Sequence, residues 1–200
     1  MQLFKNFCDY TLDKNGVLEK FELKYPDNYN FGYDVVDEMA KCAPNDIAVQ
    51  WTNVHNERKT FTFSDIATLS NKAANALRNN GVKKGDKVLV ILKRNYEYWY
   101  IVPALHKLGA VVIPATNMLT LDDITYRIET ANIKFAVSTP DDVTAETLVQ
   151  AKTVKSQLEK VFVVRRDVEG SINLTKEIEN ADENLERVQT VSYTHLRAHE

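Results

Sequence analysis

Four sets of polar residues have types and spacings that could do chemistry. Lys93-Arg94-Asn95 follows the apolar run Lys87–Leu92, and open α/β sheets bind ligands just beyond the carboxyl ends of their strands. A cation pair there suits an anion, while Asn95 also suits the cap of the helix it precedes, with no ligand needed. Arg165-Arg166 stands at the end of another apolar run, Val161–Arg165; guanidinium groups fit phosphate, but the ligand-free reading is a solvated loop pair. His55 and His106 have no Ser or Cys beside them in a nucleophile elbow, so no acyl-transfer triad is assembled. His106, next to Lys107, reads as a satisfied surface or core-edge residue. Asp122-Asp123 opens a helical pattern, where carboxylates complement the helix dipole and need not act as an acid–base pair.

Phosphate loops and metal cages are missing from the pattern. The six glycines (Gly16, Gly32, Gly81, Gly85, Gly109, Gly170) are all isolated, so neither G-x-G-x-x-G nor a P-loop is present. Thr11–Glu22 imitates a calcium loop through Asp13, Asn15, Gly16 and Glu22, but Thr11 stands where the first acidic ligand belongs. A plain turn at Asn15-Gly16 is expected instead. Cys8 and Cys42 are far apart, with no Cys-x-x-Cys spacing, which argues against a disulfide framework or zinc site. His195 and His199 could share a helix face, but the intervening Glu of a metalloprotease helix and a third ligand are lacking. No catalytic residue and no metal ligand is assigned, and cofactor-binding residues are left unknown.

The elements that would position these groups follow from periodicity. In 200 residues, 44% hydrophobic and 26% charged with net charge −3, there is material for one globular core. No charge block marks a nucleic-acid partner. The apolar stretches are too short to span a bilayer, and charges within Met1–Gly16 interrupt any signal-peptide core. A cytoplasmic protein is the default expectation. Residues 1–33 are the least regular part. Asp34–Ala43 reads as a short helix capped by Asp34, and Ile47–Trp51 with Thr60–Phe63 as a hairpin. Ser64 is placed to cap a helix carrying Ile66, Leu69, Ala73, Ala76 and Leu77, which stops at Gly81. Thereafter strands at Lys87–Leu92, Ala110–Ala115, Lys134–Ser138 and Val161–Arg165 alternate with helices at Asn95–Leu108, Thr120–Asn132 and Asp141–Leu158. A further short helix is expected at Leu174–Leu185. Alternation at about two dozen residues gives an α/β fold, an open and mostly parallel sheet with helical crossovers.

One span is more specific than its parts. Thr60–Arg127 runs "SNKAANAL" into "GVKKGDKVLV", then an aromatic-rich helix into "KLGAVVIP", then "NMLTLDDITYRI". This ordered series resembles the start of the AMP-forming acyl-CoA synthetases and related adenylate-forming enzymes. Weaker similarity extends from about Asn30 to Arg165. Tyr96-Glu-Tyr-Trp99 and "PATNMLT" are most similar to the medium-chain branch, with the acetyl-type branch nearby. The resemblance implies the first subdomain of the adenylate-forming fold, incomplete. It implies a reaction of a carboxylic acid with ATP and CoA, assisted by Mg²⁺. The Ser/Thr/Gly-rich phosphate loop and the other catalytic elements of the family correspond to sequence beyond Thr190, so a 200-residue piece is expected to be inactive. Relatives often carry Pro where Arg94 or Asn95 stands, which puts the shape of that loop in question. An adenylation enzyme feeding a carrier protein, or a standalone flavodoxin-like binding module, stays open as an alternative.

Val191–Glu200, Val-Ser-Tyr-Thr-His-Leu-Arg-Ala-His-Glu, resembles residue for residue one reading frame of a transposon-end adapter used in shotgun sequencing. The expected organisation is therefore a lead-in extension over 1–45, the first part of an AMP-binding domain over 46–190, and a non-native tail over 191–200.

Overall fold

The computed structural model describes residues 3–24 and 26–190. The adapter-like tail, with its His195–His199 pair, lies outside the described residues. The first stretch is more regular than expected, because β1 (Cys8–Leu12) and β2 (Leu18–Leu23) pair antiparallel. Their connection is the turn at Asn15-Gly16. Gly16 has φ +80°, and the Asp13 carboxylate accepts the N–H groups of Asn15 and Val17, both at 2.8 Å. Asp13 thus closes a turn in the segment that imitates a calcium loop.

Asp34 does not cap a helix start as expected. It lies inside a π-helical turn, Gly32–Asp37, that runs into α1 (Glu38–Cys42). Its carboxylate instead accepts the Asn30 N–H at 2.7 Å and pairs with Arg187. β3 (Ile47–Thr52) and β4 (Arg58–Thr62) form the second antiparallel hairpin. α2 (Phe63–Asn79) begins two residues earlier than Ser64 would allow. Thr62 is its cap: Thr62 and Asp65 satisfy each other's backbone N–H groups in a capping box, and a reciprocal pair outcompetes a lone serine.

The main sheet then builds as β5 (Lys87–Ile91), α3 (Tyr98–Leu108), β6 (Val111–Pro114), α4 (Leu121–Ala131), β7 (Phe135–Ser138), α5 (Thr144–Val154), β8 (Lys160–Val163), β9 (Ile172–Asn173) and α6 (Leu174–Asn180). Its strand order is β6-β5-β7-β8-β9, with every neighbouring pair parallel. Alternate residues face opposite layers. Val88, Val90, Phe135, Val137 and Phe162 pack in one cluster with α2, α3 and α6; Leu89, Ile91, Ala136, Val161 and Val163 pack in another with α4 and α5. Burial on both faces is why these strands read as unbroken apolar runs.

Three helices are shorter than their patterns by more than a capping residue, and the first, α3, starts only at Tyr98. α5 starts only at Thr144, where Asp142 accepts the Thr144 N–H at 2.9 Å. α6 stops at Asn180, because Asp182 accepts the Asn184 N–H and offers the backbone a competing partner. Residues 181–190 then cross the surface of the helical layer. The Asn75 amide donates to the Asp182 and Asn184 carbonyls, Lys84 to the Gln189 carbonyl, and the Asn30 amide to Thr190 Oγ1. Inside this layer Lys107 is fully buried. Its ammonium donates to Asp37 (2.6 Å), Asn71 (2.7 Å) and Ser70 (2.8 Å), filling its three donor positions.

Candidate functional site

In the order β6-β5-β7-β8-β9, the chain leaves β5 toward one side and later returns to the other. This makes the gap between β5 and β7 a topological switch point. A cleft of about 910 Å³ opens there. One wall is the β3–β4 turn, with Trp51, Asn53 and His55. The other is the loops leaving the strands, with Lys93, Arg94, Asn95, Asn117, Asp141 and Arg165. The Trp51 indole N–H donates to the Arg94 carbonyl at 2.6 Å and ties the two walls together.

Asn95 does not cap α3, contrary to expectation. It is buried, and its amide donates to Thr139 Oγ1 and to Asp141 Oδ2, both at 2.8 Å, while its oxygen accepts an Arg165 N–H. The loops after β5, β7 and β8 are thereby joined through one side chain. Burial explains the departure: a cap serves only its own helix, whereas a buried amide must satisfy both its ends. Arg165 is exposed, as a loop residue should be, but its guanidinium is held by partners. Its Nε lies 2.7 Å from the carboxylate of Glu97, and its guanidinium stands 5.2 Å from the centre of the Tyr96 ring. Arg166 does not line the cleft, and one of its Nη groups donates to both carboxylate oxygens of Glu146. Lys93 pairs with Asp142, which also takes the Asn117 amide.

Beneath the cleft the electrostatics are unusual. Glu97 is 1% exposed, and the Arg165 ion pair at 2.7 Å is the main compensation for its buried charge. Burial pushes the Glu97 carboxyl above its ordinary value, with Arg165 opposing. Desolvation also raises the buried Tyr100 phenol, and the nearby Glu97 charge adds to it. Tyr96 is enclosed by Trp51, Phe61, the Lys59 ammonium and Arg165. Thus Lys93, Arg94, Asn95, Arg165 and His55 meet at the cleft, while His106 lies on α3 against Phe31. Asp123 caps α4 with Thr120. Sequence reasoning missed Trp51, Asn117, Asp141 and Glu97. Only Glu97 carried a signal, as a lone acid within the aromatic run Tyr96–Tyr100.

Residues 36–196 match the family described as AMP-binding enzyme. The chain belongs to this family. Among relatives of this AMP-binding region, mouse (Mus musculus) mitochondrial acyl-coenzyme A synthetase ACSM4 is 31% identical over 188 residues, covering 91% of the chain and 32% of the relative. Human (Homo sapiens) mitochondrial acyl-coenzyme A synthetase ACSM3 is 31% identical over 193 residues, covering 93% and 32%. The AMP-binding chain therefore spans about a third of the length of the curated relatives it matches. A Brucella canis acyl-CoA synthetase superposes with a TM-score of 0.70 at 21% identity, covering 80% of this chain and 29% of its own. The anthranilate CoA ligase AuaEII, solved with anthranoyl-AMP, does so at 0.70 and 20% identity, covering 84% and 31%. These structures share the fold of the parallel-sheet unit. Among the described residues no three His, Cys, Asp or Glu side chains come together to hold a metal ion. No helix among them is long and apolar enough to cross a membrane.

Proposed function

We propose that the protein carrying this AMP-binding region is an AMP-forming acyl-CoA synthetase. The family match over residues 36–196 supports this reading most directly, and the relatives named acyl-coenzyme A synthetase agree with it. In that reaction a carboxylate oxygen attacks the α-phosphorus of ATP. The bond to the bridging oxygen breaks, and pyrophosphate leaves. The CoA thiol then attacks the acyl carbon, loses its proton, and expels AMP to leave a thioester. Mg²⁺, when bound, offsets charge on the triphosphate. Among the described residues no three His, Cys, Asp or Glu side chains are grouped to cage it.

Within this reading, residues 1–45 are a lead-in, 46–190 the first part of the catalytic domain, and 191–200 a foreign tail. Re-reading the source DNA across codon 190 tests the tail. The medium-chain branch is the proposed substrate class, and the cytoplasm the proposed compartment; the rodent and human relatives are named mitochondrial, and cell fractionation decides for this protein. Adenylation needs phosphate donors, a metal and an aligned carboxylate in one dry site, so the 200-residue chain alone is expected to be inactive. The assay is acid-dependent exchange of labelled pyrophosphate into ATP, followed by thioester formation with CoA. The protein from the intact gene should do both and this chain neither. Exchange without transfer to CoA would favour an enzyme feeding a carrier protein. No exchange by the intact protein with any short- or medium-chain acid would favour a binding module.

A further inference from the structure

The β1–β2 hairpin is a part of the molecule that the acyl-CoA synthetase reading leaves unused. It lies ahead of residues 36–196, which match the AMP-binding family. Pairing of Cys8 with Leu23, Tyr10 with Phe21 and Leu12 with Leu18 puts these six side chains on one face, while Asp9, Thr11, Lys20 and Glu22 take the other. The closely packed neighbour of the hairpin is the 3-10 turn Leu3–Asn6, whose Phe4 ring stands 6.0 Å from that of Tyr10. The apolar face is otherwise open: Leu12, Leu18, Phe21 and Leu23 are each more than half exposed, and every residue of β2 is exposed. Two strands alone are marginally stable in water, whereas three or more with an apolar face hold together.

β2 also presents a free edge, since no third strand joins this sheet among the described residues. The Lys24 N–H donates to the Phe7 carbonyl at 2.7 Å, so residues 7 and 24 form a hydrogen-bonded pair. Alternation along the antiparallel ladder then bonds Asp9 to Glu22 and leaves Tyr10–Phe21 and Cys8–Leu23 as non-bonded pairs. The backbone N–H and C=O of Phe21 and Leu23 therefore point away from β1. Pairing this edge with a second copy about a two-fold axis sets one residue opposite itself. At Lys20 or Glu22 that opposes like charges, and at Leu23 half of β2 has no strand opposite. At Phe21 the whole strand overlaps. Lys20 then faces the partner's Glu22, and Glu22 faces the partner's Lys20, at positions where cross-strand side chains come closest.

We propose that β2 is a docking edge for a second copy of this chain. The two copies join antiparallel about a two-fold axis at Phe21, giving a four-stranded sheet with one continuous apolar face and two Lys20–Glu22 pairs between copies. In the single chain Lys20 and Glu22 stand 3.6 Å apart and largely exposed, so both are free to turn toward the partner. A six-residue edge is smaller than a standard interface, and the dimer is accordingly concentration-dependent.

The test is sedimentation velocity over a concentration series, for this chain and for the protein from the intact gene. A reducing agent is present because Cys42 is exposed. Both proteins should pass from monomer to dimer. Lys20→Glu sets like charges opposite each other at both pairs and should weaken dimerisation about tenfold or more. The exchange Lys20→Glu/Glu22→Lys restores both pairs and should recover it. Phe21→Pro removes an N–H that faces the free edge and none from the ladder to β1, so it should abolish the dimer while the hairpin stays paired; circular dichroism checks that each variant folds. A monomer at every concentration overturns the proposal. So does a dimer of this chain that the intact protein does not form, since the rest of the protein would then cover the edge. A dimer indifferent to all three variants places the interface elsewhere, and one lost in Phe21→Pro but not recovered by the charge exchange rejects the axis at Phe21. None of these outcomes bears on pyrophosphate exchange, which judges the enzymatic reading separately.

Discussion

Replacing Lys107 by Met removes the α3 ammonium that ties the Gly32–Asp37 turn to α2. The Lys107 side chain is 0% exposed and that of Asp37 21%. Met keeps most of the volume, so the cavity contribution is small. What remains is Asp37 left without its cation, together with Ser70 Oγ and Asn71 Oδ1 left without their donor. Removing one partner of a buried pair costs about 3–5 kcal/mol. Asp37 retains some access to water, so the lower end, about 3 kcal/mol, is expected. With a urea m-value of about 2 kcal/mol per molar, the unfolding midpoint should fall by about 1.5 M. The assay is equilibrium urea unfolding followed by circular dichroism, for the single variant and for Lys107→Met/Asp37→Asn. Burial lowers the Lys107 pKa and raises that of Asp37, so both charges are held at a cost and the double variant should recover more than half of the loss. A midpoint within about 0.3 M of wild type would refute the reasoning, since the unpaired carboxylate would then have cost almost nothing. A double variant no better than the single one would show that hydrogen bonds to Ser70 and Asn71, and not the charge pair, hold the turn.

Two further outcomes follow from the same geometry. Gly32→Ala should destabilise by about 1–3 kcal/mol, because an added Cβ would stand 2.7 Å from Lys107 Cγ and 2.9 Å from the Pro103 carbonyl oxygen; thermal unfolding checks this, and an unchanged midpoint would show that the turn can move away. Burial pushes the Asp142 carboxyl up, but bonds from Thr144, Lys93 and Asn117 outweigh it and hold the group below its ordinary value. A depressed carboxyl contributes stability at pH above its unfolded value of about 3.9 and loses it as pH falls through the folded value. Melting curves between pH 6 and pH 2.5 should therefore fall less steeply for Asp142→Asn than for wild type, and parallel curves would count against the assignment.

Some features of this molecule are local and could be read along the chain. Strands buried on both faces must be apolar where they are buried, so Val88–Ile91 and Val161–Val163 announce themselves whatever packs on them. Gly109 ends α3 at φ +69°, a conformation that a glycine signals by itself. The turn at Asn15-Gly16 is equally self-contained. The family resemblance lies in the particular segments of Thr60–Arg127, taken in order along the chain. Tertiary structure decided which polar groups work together. Asn95 is a good helix cap by type, and only the return of β7 beside β5, and of β8 beside β7, brings Thr139, Asp141 and Arg165 within its reach. Glu97 and Arg165 are 68 positions apart in the chain, and no periodicity links them. Lys107 looks like an ordinary surface lysine until the Gly32–Asp37 turn closes over it. Helix propensity, capping and apolar period act within a few residues, whereas burial of a charge depends on what the rest of the chain lays on top of it.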